Sequence, residues 1–383
     1  MKVGLSGTFW GLETTGSGQY VRHLLQALEE LAPEEDCTLF LPCYRGGKEP
    51  APRLPRQVRS LRTPFDGLNE DLAKVWFEQF SFPRACAKGL DVAHVPYFAP
   101  PLWPRVPTVV TIHDLIPLIL PEYCGSPWVR GYMHLVSRAA REATLVLTDS
   151  RASARDILRL LHIPPERLRV IYLAVDDLYR PLAPEEWRPT CERLGLPPRY
   201  LLYLGGFDQR KNLAGLLEAF ALARGRLKGV SLVIAGRLPT RDSAFAPDPQ
   251  RIAQRLGLGD SVHYTGWVAE EDKPALYAGA EAFIFPSYYE GFGLPVLEAI
   301  SCGTPVIVGG GSSLEEIAGP GGLVVSPEDV SALAEAMVRL THEPKLRQEL
   351  SAKGREHAQG FSWLQTARET LSAYREAVAL SSR

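Results

Sequence analysis

The run Phe285-Pro286-Ser287-Tyr288-Tyr289-Glu290-Gly291-Phe292-Gly293-Leu294-Pro295-Val296-Leu297-Glu298-Ala299 gathers residue types that can hold an anion beside two carboxylates. A strand-like stretch ends at Pro286, a glycine loop follows, and Pro295 stands where the first turn of a helix tolerates it. Glycines let backbone N–H groups approach a ligand closely, and a helix N-terminus favours negative charge. Glu290 in the loop and Glu298 one turn into the helix can then face one ligand.

A second cluster, Leu204-Gly205-Gly206-Phe207-Asp208-Gln209-Arg210-Lys211-Asn212, delivers two cations at the start of another helix. A cation is mildly disfavoured there, and an anionic ligand removes the conflict. Lys211 is therefore read as a phosphate ligand, with Arg210 either assisting or facing solvent. A third, Val109-Val110-Thr111-Ile112-His113-Asp114, puts a histidine and an aspartate at the end of an apolar strand. His113 is read either as a satisfied structural group or as a ligand contact, with Asp114 available to orient its ring. Gly16-Ser17-Gly18 opens the first helix, but Val21 stands where a dinucleotide fingerprint requires its third glycine.

These loops need strands and helices to hold them. The expected strands of the first half are Lys2–Ser6, Thr38–Pro42, Val92–Val95, Thr108–Ile112, Leu145–Thr148 and Val170–Tyr172. Between them fall helical patterns at Gln19–Leu31, Glu70–Phe82, Val129–Ala143 and Ala152–Leu161. Alternation restarts after the Pro-rich stretch Tyr179–Pro184, with strands at Tyr200–Leu204, Leu232–Ala235, Val262–Tyr264, Ala282–Pro286, Val306–Val308 and Leu323–Val325. The pattern is α/β: two doubly wound parallel sheets, with ligands expected at strand C-terminal edges in a cleft between facing domains. The expected domains are 1–179, joined by a C-terminal helix 364–383, and 180–363.

At 383 residues the chain is long enough for two cores, and 45% hydrophobic against 22% charged residues excludes a disordered chain. A net charge of −2 argues against nucleic acid as a partner. No two of the six cysteines form a CxxC, so neither a zinc ribbon nor a dithiol centre is expected. Glycine at position 4 interrupts any signal-peptide core, and the longest apolar candidate, 106–120, carries His113 and Asp114. A cytoplasmic protein is expected. The basic Pro-rich stretch 45–62 is read either as a solvated loop or as a contact for an anionic membrane face or a phosphorylated, lipid-linked ligand.

The 285–299 string resembles the signature of family 4 retaining nucleotide-sugar glycosyltransferases, which have the two-domain GT-B fold of Rossmann-like halves. The resemblance covers almost the whole chain and is more specific in the second half. It implies that Glu290 contacts the donor sugar and that Glu298 accepts hydrogen bonds from the nucleotide ribose. It implies that amides of Gly291, Phe292, Gly293 and Leu294 meet the sugar and distal phosphate, and that Lys211 binds the donor diphosphate. Many members carry arginine where this chain has Gly206, a departure that Arg210 could offset. His113 matches a histidine that hydrogen-bonds the donor sugar, and main-chain groups around Val268 match a base-reading turn. Gly16, Gly18, Asp149 and Ser150 match acceptor-side positions. Segments 72–79 and 113–122 look most like a bacterial mannosyltransferase subgroup.

The expected activity is transfer of a hexose, mannose from GDP-mannose first and a UDP-sugar as the alternative, to a hydroxyl of a saccharide or lipid-linked saccharide. No cofactor is expected, and no Asp-x-Asp motif suggests a metal-bound diphosphate. Two rivals are a nucleotide-sugar epimerase of the same fold, which needs no acceptor, and a sugar-binding protein, which would carry an export signal.

Overall fold

The computed structural model describes residues 1–12, 15–43 and 57–382. They form two units, Met1–Leu173 with Ser362–Arg383, and Ala174–Phe361. The divisions thus fall a few residues ahead of positions 179 and 363. Tyr179 explains the first shift, since its hydroxyl donates to Glu270 and its ring lies 6.2 Å from Tyr277, both in the second unit.

The first unit holds seven strands: β1 Lys2–Ser6, β2 Asp36–Pro42, β3 Gln57–Leu61, β4 Val92–Val95, β5 Thr108–Thr111, β6 Leu145–Thr148 and β7 Leu168–Val170. They pair in parallel in the order β3-β2-β1-β4-β5-β6-β7. Every residue of β4, β5 and β6 is buried, as expected for parallel strands covered by helices on both faces. β3 lies in the tail of the stretch read as a basic, Pro-rich segment. It is an edge strand with two half-buried and three exposed residues, so no apolar alternation marks it. Positions 45–56 of that stretch lie outside the described residues.

The helix expected at 70–82 is three pieces, α-helical Glu70–Trp76, π-helical Phe77–Ser81 and α-helical Phe82–Cys86. The wider turn lets the consecutive polar residues Glu78 and Gln79 both point inward, where Glu78 accepts from Tyr97 and Tyr132 and Gln79 binds Pro100 and Leu102 backbone. The C-terminal helix Trp363–Ser381 belongs to this unit. Trp363 stacks on His23 at 4.9 Å, and Arg375 reaches Glu35 at 2.9 Å.

The second unit holds β8 Tyr200–Leu204, β9 Ser231–Ala235, β10 Val262–Gly266, β11 Ala282–Phe285, β12 Val306–Gly309 and β13 Gly322–Val325, in parallel order β10-β9-β8-β11-β12-β13. Helices connect these strands, among them the five-residue Leu314–Ala318, and Pro184–Arg193, in which Pro189 interrupts a polar stretch, precedes β8. In each sheet the order reverses beside the first strand, β1/β4 and β8/β11. Loops leaving the C-terminal ends of those strands diverge there and make room for a ligand. Among the described residues no helix is long and apolar enough to cross a membrane.

Candidate active site

In the second unit, the loops after β8 and β11 leave adjacent strands at the reversal point. The β8 loop runs into a short 3₁₀ turn, Gln209–Lys211, ended by Asn212 at φ 56°. Asparagine tolerates this left-handed conformation. Its side chain then ties three segments together, donating to Pro286 O at 3.2 Å and Pro327 O at 2.6 Å, and capping Gly215 N at 3.3 Å. The turn aims both preceding cations at the β11 loop.

Lys211 Nζ lies 2.7 Å from Glu290 Oε1, and Arg210 Nη1 lies 2.7 Å from Glu290 Oε2. Arg210 also donates to Tyr289 O at 2.7 Å and sits 3.4 Å from Asp208, so it turns inward rather than to solvent. Lys211 Nζ stands 4.7 Å over the Phe285 ring. Burial alone would raise the Glu290 carboxyl; the charges of Lys211 and Arg210 outweigh it and hold the group below the usual carboxylate range. The structure thus joins Lys211 and Arg210, both half-buried, with the buried Glu290 in one ionic cluster. Gly206 is exposed, and a Cβ there would meet only Asp208 Oδ2 at 3.5 Å. Its lack of a side chain is not forced by packing.

Gly293 starts the helix Leu294–Ser301 at φ 104°, and a Cβ on it would fall 2.5 Å from Leu314 Cδ2. Glycine is therefore required. The loop before it is pinned from below by Ser313, whose Oγ lies 2.9 Å from Glu290 O and 2.8 Å from Phe292 O. Gly291, Phe292 and Gly293 are buried with Glu290, while Leu294 is half-buried. Ser313 carries no sequence signal, because a lone serine 23 residues from Glu290 belongs to no motif.

Glu298 is in a different polar setting. It is buried, accepts a 2.7 Å hydrogen bond from Tyr277, and burial pushes its carboxyl up despite nearby Lys273. Val268 is buried in the loop after β10, at the edge of this sheet, beside the exposed Trp267.

In the first unit, the adjacent strands β5 and β6 deliver His113 and Asp149, whose Nδ1 and Oδ2 lie 2.5 Å apart. Asp149, not Asp114, orients the imidazole; Asp114 instead accepts from Ile116 N at 2.9 Å. Burial works against charging His113, but Asp149 prevails and raises its pKa. Its Nε2 lies 3.2 Å from Pro96 O. Ser150 caps the following helix through Ser153 N at 3.0 Å.

Gly16 and Gly18 are less like a ligand loop than their spacing suggests. The Gly18 amide donates to Thr15 Oγ1 at 3.2 Å, and a Cβ at 18 would lie 2.0 Å from Leu12 O. Gly18 serves close packing of the backbone, while Gly16 is exposed. Among the described residues no three His, Cys, Asp or Glu side chains are grouped so as to hold a metal ion.

Two parallel Rossmann-like units of seven and six strands, with cations and a glycine loop at a switch point, define a glycosyltransferase of the GT-B architecture, an enzyme of the hexosyltransferase type. Residues 192–357 match the model for glycosyl transferases group 1, and residues 14–177 match Glycosyltransferase Family 4. The chain is 35% identical to the O-antigen chain mannosyltransferase B of Escherichia coli, over 70% of each chain. It is 30% identical to an MMP alpha-(1->4)-mannosyltransferase of Mycolicibacterium hassiacum, over 95% of each. The solved sucrose-phosphate synthase of Thermosynechococcus elongatus superposes with a TM-score of 0.79, at 25% identity over 99% of this chain and 100% of that one. The chain belongs to the family 4 glycosyltransferases.

Proposed function

We propose that the protein moves mannose from GDP-mannose to a hydroxyl of a saccharide or lipid-linked saccharide, with retention at the anomeric carbon and without a metal. The observation that carries this reading is the pairing of Lys211 and Arg210 with Glu290 beside the helix that starts at Gly293. The names of the two relatives support mannose. A UDP-sugar is the alternative donor.

The hard event is cleavage of the bond between the anomeric carbon and the diphosphate oxygen. Lys211, the Gly293 and Leu294 amides and the helix dipole supply positive potential to the leaving oxygens, preorganised so that nothing must reorient as charge develops. Glu290 and His113 orient the sugar, and Glu298 binds the ribose. As the acceptor oxygen bonds to the anomeric carbon, its proton passes to the departing phosphate. No resident cofactor is required. The protein works in the cytoplasm, and its basic segment 45–62 meets a lipid-linked acceptor or the inner membrane face.

A thermal-shift panel of GDP, UDP, ADP and their sugars identifies the base, and donor consumption with and without acceptors excludes an epimerase. Lys211→Ala should lose most turnover; a fully active variant, or strict dependence on magnesium, removes the proposal.

A further inference from the structure

β4 reads Val-Ala-His-Val, and its one polar residue, His94, is fully buried in the middle of a sheet covered on both faces. A buried imidazole is costly unless both nitrogens are paired. Here both are. Nδ1 lies 2.7 Å from the hydroxyl of Tyr374 on the C-terminal helix, and Nε2 lies 2.8 Å from Thr111 Oγ1 on β5. Thr111 Oγ1 continues to the Tyr20 hydroxyl, 3.1 Å away on the first helix. The Tyr20 ring then meets His113 nearly perpendicularly, with centroids 5.0 Å apart and planes at 88°. His94, Thr111, Tyr20 and Tyr374 are each no more than 2% exposed.

We propose that Tyr374 and His94 are positioning residues for His113, so that the C-terminal helix completes this unit's site through a buried hydrogen-bonded chain. The inference rests on the transfer reading above for its catalytic consequence, but not for its geometry.

Burial keeps His94 neutral, with its pKa lowered to about 3. A neutral imidazole donates at one nitrogen and accepts at the other. If Tyr374 donates to Nδ1, then Nε2–H donates to Thr111, and the single Thr111 proton is left for Tyr20. The opposite tautomer reverses every bond. Either way the chain has one direction, and removing the Tyr374 hydroxyl unbalances every link up to Tyr20. Asp149 holds His113 by Nδ1 and Pro96 O faces its Nε2, and the Tyr20 ring limits rotation of the imidazole plane about the line between those two contacts. The chain therefore acts on the plane of His113, not on its charge.

The test uses full-length protein with ¹⁵N-labelled histidine, His113 signals being assigned by their loss in His113→Gln. Tyr374→Phe should shift the His113 ring-nitrogen signals. It should also lower kcat for GDP release from GDP-mannose about tenfold, with KM held within about twofold, the effect of one misplaced hydrogen-bonding group. Thr111→Val cuts the chain at another link and should repeat both effects; it decides the matter if Tyr374→Phe does not fold. Arg375→Ala, on the same helix but paired with Glu35, should leave both unchanged. Unmoved His113 signals in the first two variants overturn the inference. So does an equal loss in Arg375→Ala, which would make the helix a packing support only. If the wild-type protein releases neither GDP from GDP-mannose nor UDP from UDP-glucose, the transfer reading fails, while the resonance arm still decides the chain's geometry.

Discussion

Glu290→Gln should tighten nucleotide binding while it slows transfer. The carboxylate pairs with both cations, Lys211 at 2.7 Å and Arg210 at 2.7 Å. In the proposed reading an incoming diphosphate shares Lys211 with it. A phosphate oxygen bonded to Nζ from the far side lies about 5 Å from the carboxylate oxygen, being two hydrogen-bond contacts away. At an effective dielectric near 20, one such pair of negative charges repels by about 3 kcal/mol. Glutamine keeps the shape and removes the charge. It also leaves two cations that are only 13% and 10% exposed without their counter-charge. Breaking a buried pair in this way costs about 3 kcal/mol or more of stability, part of which a bound diphosphate restores. Allowing for screening of about half the repulsion, the dissociation constant of GDP or UDP should fall about tenfold to a hundredfold, at 1.4 kcal/mol per tenfold. Titration calorimetry with both nucleotides, and melting curves with and without them, read the two effects. The variant should melt lower when empty and gain more from nucleotide than the wild type. If neither nucleotide binds the variant more tightly, the diphosphate does not meet Lys211 beside Glu290, and the charge argument is wrong.

Glu298→Ala should weaken binding of the same nucleotide about tenfold, the loss of a charge-assisted hydrogen bond; unchanged calorimetry removes its ribose role. Asp149 raises the His113 pKa above 6.5, so the pair stabilises fully below pH 6.5 and the contribution is lost as pH rises through the folded-state value. In urea titrations the lead of wild type over His113→Gln should therefore shrink from pH 6 to pH 8.5, and a lead that grows contradicts the pairing. Gly293→Ala forces a side chain to φ 104° and into Leu314, at a cost of about 1–3 kcal/mol. A lower melting temperature and weaker nucleotide binding should appear together; normal binding in a folded variant would free the loop of its assigned role.

The parallel sheets were legible because fully covered strands such as Phe283–Phe285 and Val109–Val110 must be apolar on both faces, and such runs stand out between helical patterns. What escaped were elements held by pairing rather than burial. β3 rests on its ladder with β2, from Thr38 opposite Gln57 to Pro42 opposite Leu61, and its side chains say little. The π-helical turn escaped for another reason. Its signature is two adjacent polar residues, Glu78 and Gln79, facing inward, and only their partners on distant loops reveal that they do.

The site divides along the same line. Lys211, Glu290 and Gly293 announce themselves because cations, carboxylates and glycines cluster beside apolar strands in one stretch of chain. Their supports do not. Ser313 and Asn212 are ordinary residues whose importance comes from reaching backbone carbonyls far away in sequence. The exchange of Asp114 for Asp149 shows how such an error arises. Adjacency in sequence put Asp114 beside His113, but the residue after a histidine leaving a strand is directed elsewhere, and Asp114 caps its own turn at Ile116. The parallel sheet instead brings together the ends of neighbouring strands, 36 residues apart, and so selects Asp149. In a doubly wound fold the partner of a strand-end residue is best sought at the end of the next strand in the sheet, not at the next position in the chain.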